Sequence, residues 1–208
     1  MSRRREILVA TRNPGKQREV TAVLGALGVE FVTLERFGDL AEAVEDGETF
    51  AANAAAKARH YSRLTGMWTL ADDSGLEVDA LGGAPGVRSA RYAGPQRSDA
   101  ANNARLIVEL RDVPDERRTA RFRCAVAVAS GERLLAEASG TIEGRIIDEP
   151  RGSNGFGYDP HFLIPELGRT SAELPPEHKN RISHRGRALA ALAPKLTRLL
   201  DQNTETHP

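Results

Sequence analysis

Glu6-Ile7-Leu8-Val9-Ala10-Thr11-Arg12-Asn13-Pro14-Gly15-Lys16 runs from an apolar stretch straight into a helix start. Glu6 to Thr11 reads as a buried strand. Asn13 and Pro14 then have the character of an N-cap followed by a first helical residue. Val20, Val23, Leu24 and Leu27 fall on one face of a helix read over Pro14 to Leu27. Gly28 closes that helix, and Val29 to Leu34 reads as a second strand. This β-α-β opening predicts an α/β protein.

Outward from it, a polar and acidic connection (Gly38 to Glu48) leads to a helix over about Thr49 to Leu64, with Thr49 as its N-cap. Trp68 to Ala71 reads as a short strand that ends at Asp72-Asp73. Four glycines and Pro85 between Leu81 and Gly94 make a shaped loop. Ser98 starts a helix that ends near Arg111. Arg118 to Ser130 and Arg133 to Ile147 read as two long antiparallel strands joined at Ser130-Gly131-Glu132. A short strand, His161 to Ile164, follows the glycine-rich Arg151 to Asp159. The last helix spans about Ser183 to Asp201, and Gln202 to Pro208 reads as a frayed tail. No repeats or low-complexity segments interrupt the chain.

The chain has 208 residues, 40% of them hydrophobic, which is enough for a real core and for one domain covering 1–208. Its 29 acidic and 29 basic residues cancel. A general nucleic-acid or membrane binder would need a basic field, so neither is expected as a partner. The basic clusters Arg3 to Arg5 and Arg117 to Arg123 are local. The single cysteine, Cys124, rules out an intrachain disulfide and a cysteine-based zinc cluster. It lies in an apolar run and reads as a buried, inert thiol. Ile7 to Ala10 is too short for the apolar core of a signal peptide, and no run approaches a membrane span. The expected location is the cytoplasm.

Only four lysines occur against 25 arginines, and three of them (Lys16, Lys57 and Lys179) sit in the most unusual polar stretches. Lysine is a compact, strongly hydrated cation suited to phosphate oxygens. Lys16 falls in a first helical turn, where a cation opposes the helix dipole. A phosphate bound at that helix start would resolve the conflict. Asp72-Asp73 adds paired carboxylates. Adjacent strand residues face opposite ways, so both serve one site only if the chain leaves the strand there, as Ser74-Gly75 permits. One carboxylate could then hold Mg²⁺ while the other polarises a water. Glu45 is a candidate partner ligand, with Glu42, Asp46 and Glu48 as competitors. Asn53 and Lys57 are four residues apart on an alanine-rich helix and share a face. Gly155-Phe156-Gly157-Tyr158-Asp159 sets two aromatics among glycines, a loop that can stack a nucleobase. Lys179, Ser183, His184 and Arg185 gather donors for a keto oxygen or for phosphate.

In this order the motifs resemble the inosine/xanthosine triphosphate pyrophosphatase family, hydrolases of noncanonical purine nucleotides. The resemblance runs from Leu8 to about Leu192. It rests on Thr11-x-Asn13-x-x-Lys16, Thr49-Phe50-x-x-Asn53-Ala54-x-x-Lys57-Ala58, Ala71-Asp72-Asp73-Ser74-Gly75-Leu76, Gly82-Gly83-Ala84-Pro85-Gly86 through Ser89-Ala90-Arg91-Tyr92, Gly155-Phe156-Gly157-Tyr158-Asp159-Pro160 and Ser183-His184-Arg185-Gly186. It implies an elongated α/β fold with a long mixed sheet, two lobes, a nucleotide cleft between them and a homodimer. It also implies Mg²⁺-dependent hydrolysis of ITP, dITP and XTP to the monophosphate and pyrophosphate. Thr11, Asn13, Lys16 and Lys57 would hold the phosphates. Glu45, Asp72 and Asp73 would form the metal site, and Asp73 would be the general base. Phe156 would stack on the purine, with Asp159, Lys179, His184 and Arg185 lining the base pocket. Asn53, Ser74, Gly157 and Tyr158 complete the substrate-binding set. Ala52 departs from the pattern, because the family often has glutamate there.

Two rival readings remain at this stage. A sensor on the same fold would bind nucleotides without needing Asp73. A pyrophosphatase for another damaged nucleotide, such as a modified pyrimidine, would differ only in its base pocket.

Overall fold

The computed structural model describes residues 5–204, so most of the Arg3 to Arg5 cluster and the last four tail residues lie outside it. The opening pattern forms as read. Strand β1 (Glu6–Val9) leads into helix α1 (Pro14–Leu24), and a short 3₁₀ turn carries the chain to Gly28 and strand β2 (Glu30–Thr33). Gly28 adopts φ +71°, the left-handed conformation that stops a helix without a Cβ clash. Asn13 caps α1, accepting hydrogen bonds from the N–H groups of Gly15 and Lys16. Thr49 caps α2 (Phe50–Thr65) through the N–H of Ala52, and Ser98 caps α3 (Asp99–Leu110) through that of Ala101.

Strand β3 departs from expectation. It spans Thr69–Val78 and runs directly through Asp72-Asp73-Ser74-Gly75. The glycine in that stretch serves close approach, not an exit from the strand. A Cβ at Gly75 would collide with the Ser89 side chain and the Gly86 carbonyl. That gap lets Ser89 Oγ accept the Leu76 N–H at 2.9 Å.

β4 (Thr119–Ser130) and β5 (Arg133–Ile146) are sheet neighbours joined by two residues, a link that only an antiparallel hairpin can make. β6 (Phe162–Ile164) follows. Strand β7 (Arg169–Thr170) and helix α4 (Pro176–Ile182) were not anticipated, since each is too short to show a period. Helix α5 (His184–Thr204) continues past Asp201 into the stretch read as tail. The seven strands form one mixed sheet in the order β2-β1-β3-β4-β5-β6-β7. β1 is parallel to β2 and β3, and β6 is antiparallel to β5 and β7.

The chain divides into two units, residues 1–73, 124–140 and 185–208, and residues 74–123 and 141–184. In the first, Val20 and Leu24 of α1 and Ala188, Leu189, Leu192 and Leu196 of α5 pack with Ile7, Val9, Leu70, Val126 and Val128. Cys124 belongs to this core, where burial pushes its thiol up to about 12, so it stays protonated at neutral pH. In the second, Leu106 and Leu110 of α3 pack with Leu76, Val78, Phe122, Ile142, Ile146 and Phe162. Among the described residues no helix is long and apolar enough to cross a membrane.

Candidate active site

Alternation along β3 decides the first unit's site. Leu70 and Asp72 share one face, and Asp73 takes the other. On the Leu70 face, Asp72 Oδ2 accepts from Lys16 Nζ at 2.8 Å and from Arg185 Nε at 3.1 Å. Arg185 Nη1 also donates to Glu19 at 2.5 Å. Burial alone would raise the Asp72 carboxyl, but Lys16, Arg185 and Lys57 outweigh it and hold the group well below its ordinary value. Arg185 is almost completely buried, and these two carboxylates keep it charged. The first-turn cation of α1 therefore already has a counterion in Asp72. The amides of Gly15 and Lys16 are likewise engaged by Asn13, and the Asn13 N–H reaches Thr11 Oγ1 at 3.2 Å.

On the opposite face Asp73 meets α2. Asn53 Nδ2 donates to Asp73 Oδ2 at 2.9 Å, while Asn53 Oδ1 accepts the Gly47 N–H at 2.8 Å. One buried amide thus ties the acidic connection to the strand. Lys57 Nζ donates to the Asp72 carbonyl at 3.1 Å and pairs with Glu45 at 2.9 Å. Burial opposes the Lys57 charge, but Asp72 and Glu45 more than offset it and raise its pKa. Asp73 is shifted upward, first by burial and also by the charge of Glu45, against the lowering effects of Asn53, Lys57 and Lys16. A carboxyl raised in this way is a better proton acceptor once ionised.

No group of three or more His, Cys, Asp or Glu side chains is gathered for a metal among the described residues. Magnesium does not require such a cage, since it binds through one or two carboxylates with waters and substrate phosphates completing its shell. Glu45 and Asp73 meet that description, and their mutual repulsion is what a cation would relieve. Of the acidic connection's carboxylates, Glu45 is the one with a bond to Lys57.

The second unit holds the remaining residues. Asp159 Oδ2 accepts from Lys179 Nζ at 2.5 Å and from the Phe156 N–H at 2.8 Å. Lys179 Nζ also lies 5.1 Å from the Phe156 ring centroid, over one face of the ring. Tyr158 is buried and donates its hydroxyl hydrogen to the Ser89 carbonyl at 2.8 Å. His184 is buried and stacks on Phe122 with centroids 4.8 Å apart. Ser74 follows Asp73 on β3.

The residues expected at the phosphate and metal end therefore do gather, with Arg185 added to them. Arg185, expected as a base-pocket donor, donates to Asp72 and to Glu19. Glu19 was missed. Its position three residues after Lys16 on α1 was the available signal. Asp99 and Asn103 were missed too. They bond both polar groups of Gly157, and only their helical spacing hinted at a shared target.

The chain is similar over most of its length to known proteins. A family model described as the Ham1 family matches residues 7–195. A dITP/XTP pyrophosphatase of Geobacter sulfurreducens is 55% identical over 186 residues, covering 89% of this chain and 94% of that protein. One of Geobacillus kaustophilus is 54% identical, covering 90% and 92%. Among solved structures, a HAM1 protein from Coxiella burnetii superposes with a TM-score of 0.85 at 43% identity, covering 93% of this chain and 99% of that one.

Proposed function

The chain belongs to the Ham1 family, and from that membership and the site we propose that it hydrolyses noncanonical purine nucleoside triphosphates to the monophosphate and pyrophosphate. It is a nucleoside triphosphate pyrophosphatase, a hydrolase, as its relatives' names indicate. The proposed substrates are dITP and XTP, the nucleotides in those names, and ITP, which shares their keto edge. The whole chain is read as one functional domain, cytoplasmic and homodimeric.

One observation carries the mechanism: Asp73 is buried, hydrogen-bonded by Asn53, shifted toward a higher pKa and set beside the Lys57–Glu45 pair. Asp73 is the general base that takes the proton of the attacking water. Thr11, Asn13, Lys16 and Lys57 hold the phosphates, with Lys57 the cation that acts most strongly on the Asp73 carboxyl. Mg²⁺ is the proposed metal; Glu45 and Asp72, with Asp73, would hold it, and it would supply positive charge to the phosphate oxygens. Arg185 acts through Asp72, which it holds in place, and Asp72 in turn orients Lys16.

For the purine, Phe156 is the proposed stacking ring, with Lys179 held over it. Lys179 and His184 supply donors for the 6-keto oxygen. A 6-amino group would leave those donors facing a donor, and such mismatches can reject the wrong substrate by as much as about 10⁴-fold.

The test is pyrophosphate release from dITP, XTP, ITP, ATP and GTP with Mg²⁺, beside the Asp73→Asn variant and a chelator control. Release from the inosine and xanthosine nucleotides, lost in the variant and with the chelator, is the expected result. Binding without release from any nucleotide would favour a sensor instead.

A further inference from the structure

The peptide of Gly157 is gripped on both sides by one helix. Its N–H donates to Asp99 Oδ2 at 2.8 Å, and its carbonyl accepts from Asn103 Nδ2 at 3.0 Å. Asp99 and Asn103 are four residues apart on α3 and so lie one above the other on a single face. The grip falls at the centre of the Phe156-Gly157-Tyr158-Asp159 loop. On either side of it the loop is fixed again, by the Phe156 N–H on Asp159 and by the Tyr158 hydroxyl on Ser89. Gly157 has φ +62°, a conformation most side chains avoid, and the clamp holds it there. The Phe156 ring is only partly buried, so its direction depends on how firmly its backbone is held.

We propose that Asp99 and Asn103 are positioning residues for base recognition: they hold the Gly157 peptide and so aim the Phe156 ring and the Asp159–Lys179 pair at the purine. The inference rests on the functional reading above, in which Phe156 stacks on the base. Neither residue touches the phosphates, the proposed base Asp73 or the metal ligands. Loss of the clamp should weaken substrate binding and transition-state binding alike, which appears as a raised KM with kcat unchanged.

The substitutions separate this role from simple stability. Asp99 is exposed, so Asp99→Ala should leave the fold intact. It removes the acceptor for the Gly157 N–H. Asp99→Asn keeps an acceptor oxygen and should restore wild-type behaviour. Asn103→Asp sets a carboxylate oxygen against the Gly157 carbonyl and should be the most damaging of the set. The expected result is a KM for XTP and dITP raised by about ten- to a hundred-fold in Asp99→Ala, near wild type in Asp99→Asn, with kcat and Tm little changed. A lowered Tm with unchanged KM would make these residues structural only and overturn the proposal. So would a KM that Asp99→Asn fails to restore. Hydrogen exchange of the segment 153–160 keeps the two readings apart. If wild type hydrolyses no nucleotide, the functional reading fails. The clamp then stands if exchange quickens in Asp99→Ala but not in Asp99→Asn, and falls if exchange is the same in all.

Discussion

Asp72 and Asp73 are neighbours on one strand, yet their surroundings push them in opposite directions. Asp72 faces Lys16 and Arg185, and its carboxyl is held far below the ordinary range. Asp73 faces an amide from Asn53, with Glu45 nearby, and its carboxyl is raised. Burial is the largest single influence on both and raises both. What differs is the number of cations in direct contact. The comparison shows how strand alternation can split two identical side chains between two tasks. One becomes the fixed centre of an ion cluster, and the other retains proton affinity.

The sharpest way to break the comparison is to neutralise each carboxylate and measure hydrolysis. Asp73→Asn should lower kcat by about 10³-fold, within the range that a positioned general base contributes. It should leave the fold intact, since an asparagine oxygen can still accept from Asn53. A variant retaining more than a tenth of wild-type kcat would remove Asp73 from the role of base. The second effect lies on the other face. Arg185→Met strips Asp72 of one cation and leaves Glu19 without its guanidinium. Breaking a buried pair in this way costs about 3 kcal/mol. For a chain of this size that corresponds to a Tm lower by roughly 6–12 °C. If Arg185→Met instead kept its Tm and lost the preference for XTP over ATP, Arg185 would be a base-pocket residue after all.

The β-α-β opening, its caps and the long hairpin were legible because each rests on local chemistry. Asn13, Thr49 and Ser98 cap the helices that follow them, as their types and positions indicated. The path of β3 was misread because Gly75 looks the same in sequence whether it ends a strand or admits Ser89. Only the second unit's packing tells these apart. Lys16, Lys57, Asp72 and Asp73 were expected in one site from charge and spacing, and the structure brings them together. Their pairings were not expected, because which cation meets which carboxylate depends on strand alternation and on α5, a helix more than a hundred residues away in the chain. Arg185 is the clearest case. Its neighbours in sequence suggested a donor for a base, while burial and two carboxylates make it part of the Asp72 cluster. Asp99 and Asn103 bond a peptide far along the chain, and their shared face on α3 does not by itself say what it meets.

The smallest effect is the one that tests the split most directly, since it needs no substrate. In metal-free protein with a chelator present, Asp73 has a higher pKa folded than unfolded. The unfolded chain then releases this proton first as pH rises, so ionisation of Asp73 works against folding. Below the unfolded carboxyl value, about 3.9, wild type and Asp73→Asn should be equally affected by this group. Above it the variant should gain stability relative to wild type, levelling off once pH passes the folded pKa. Asp72→Asn should behave in the opposite way. Its folded pKa is depressed, so the wild-type advantage should be present at neutral pH and shrink as pH falls through the acid range. Denaturant midpoints from pH 3 to pH 8 would read both differences. Adding Asn53→Ala removes a hydrogen bond that lowers the Asp73 pKa, so the gain from Asp73→Asn should be larger in that background. Curves of the same sign for the two carboxylates would mean that their cations do not separate them, and the division of labour on β3 would fail.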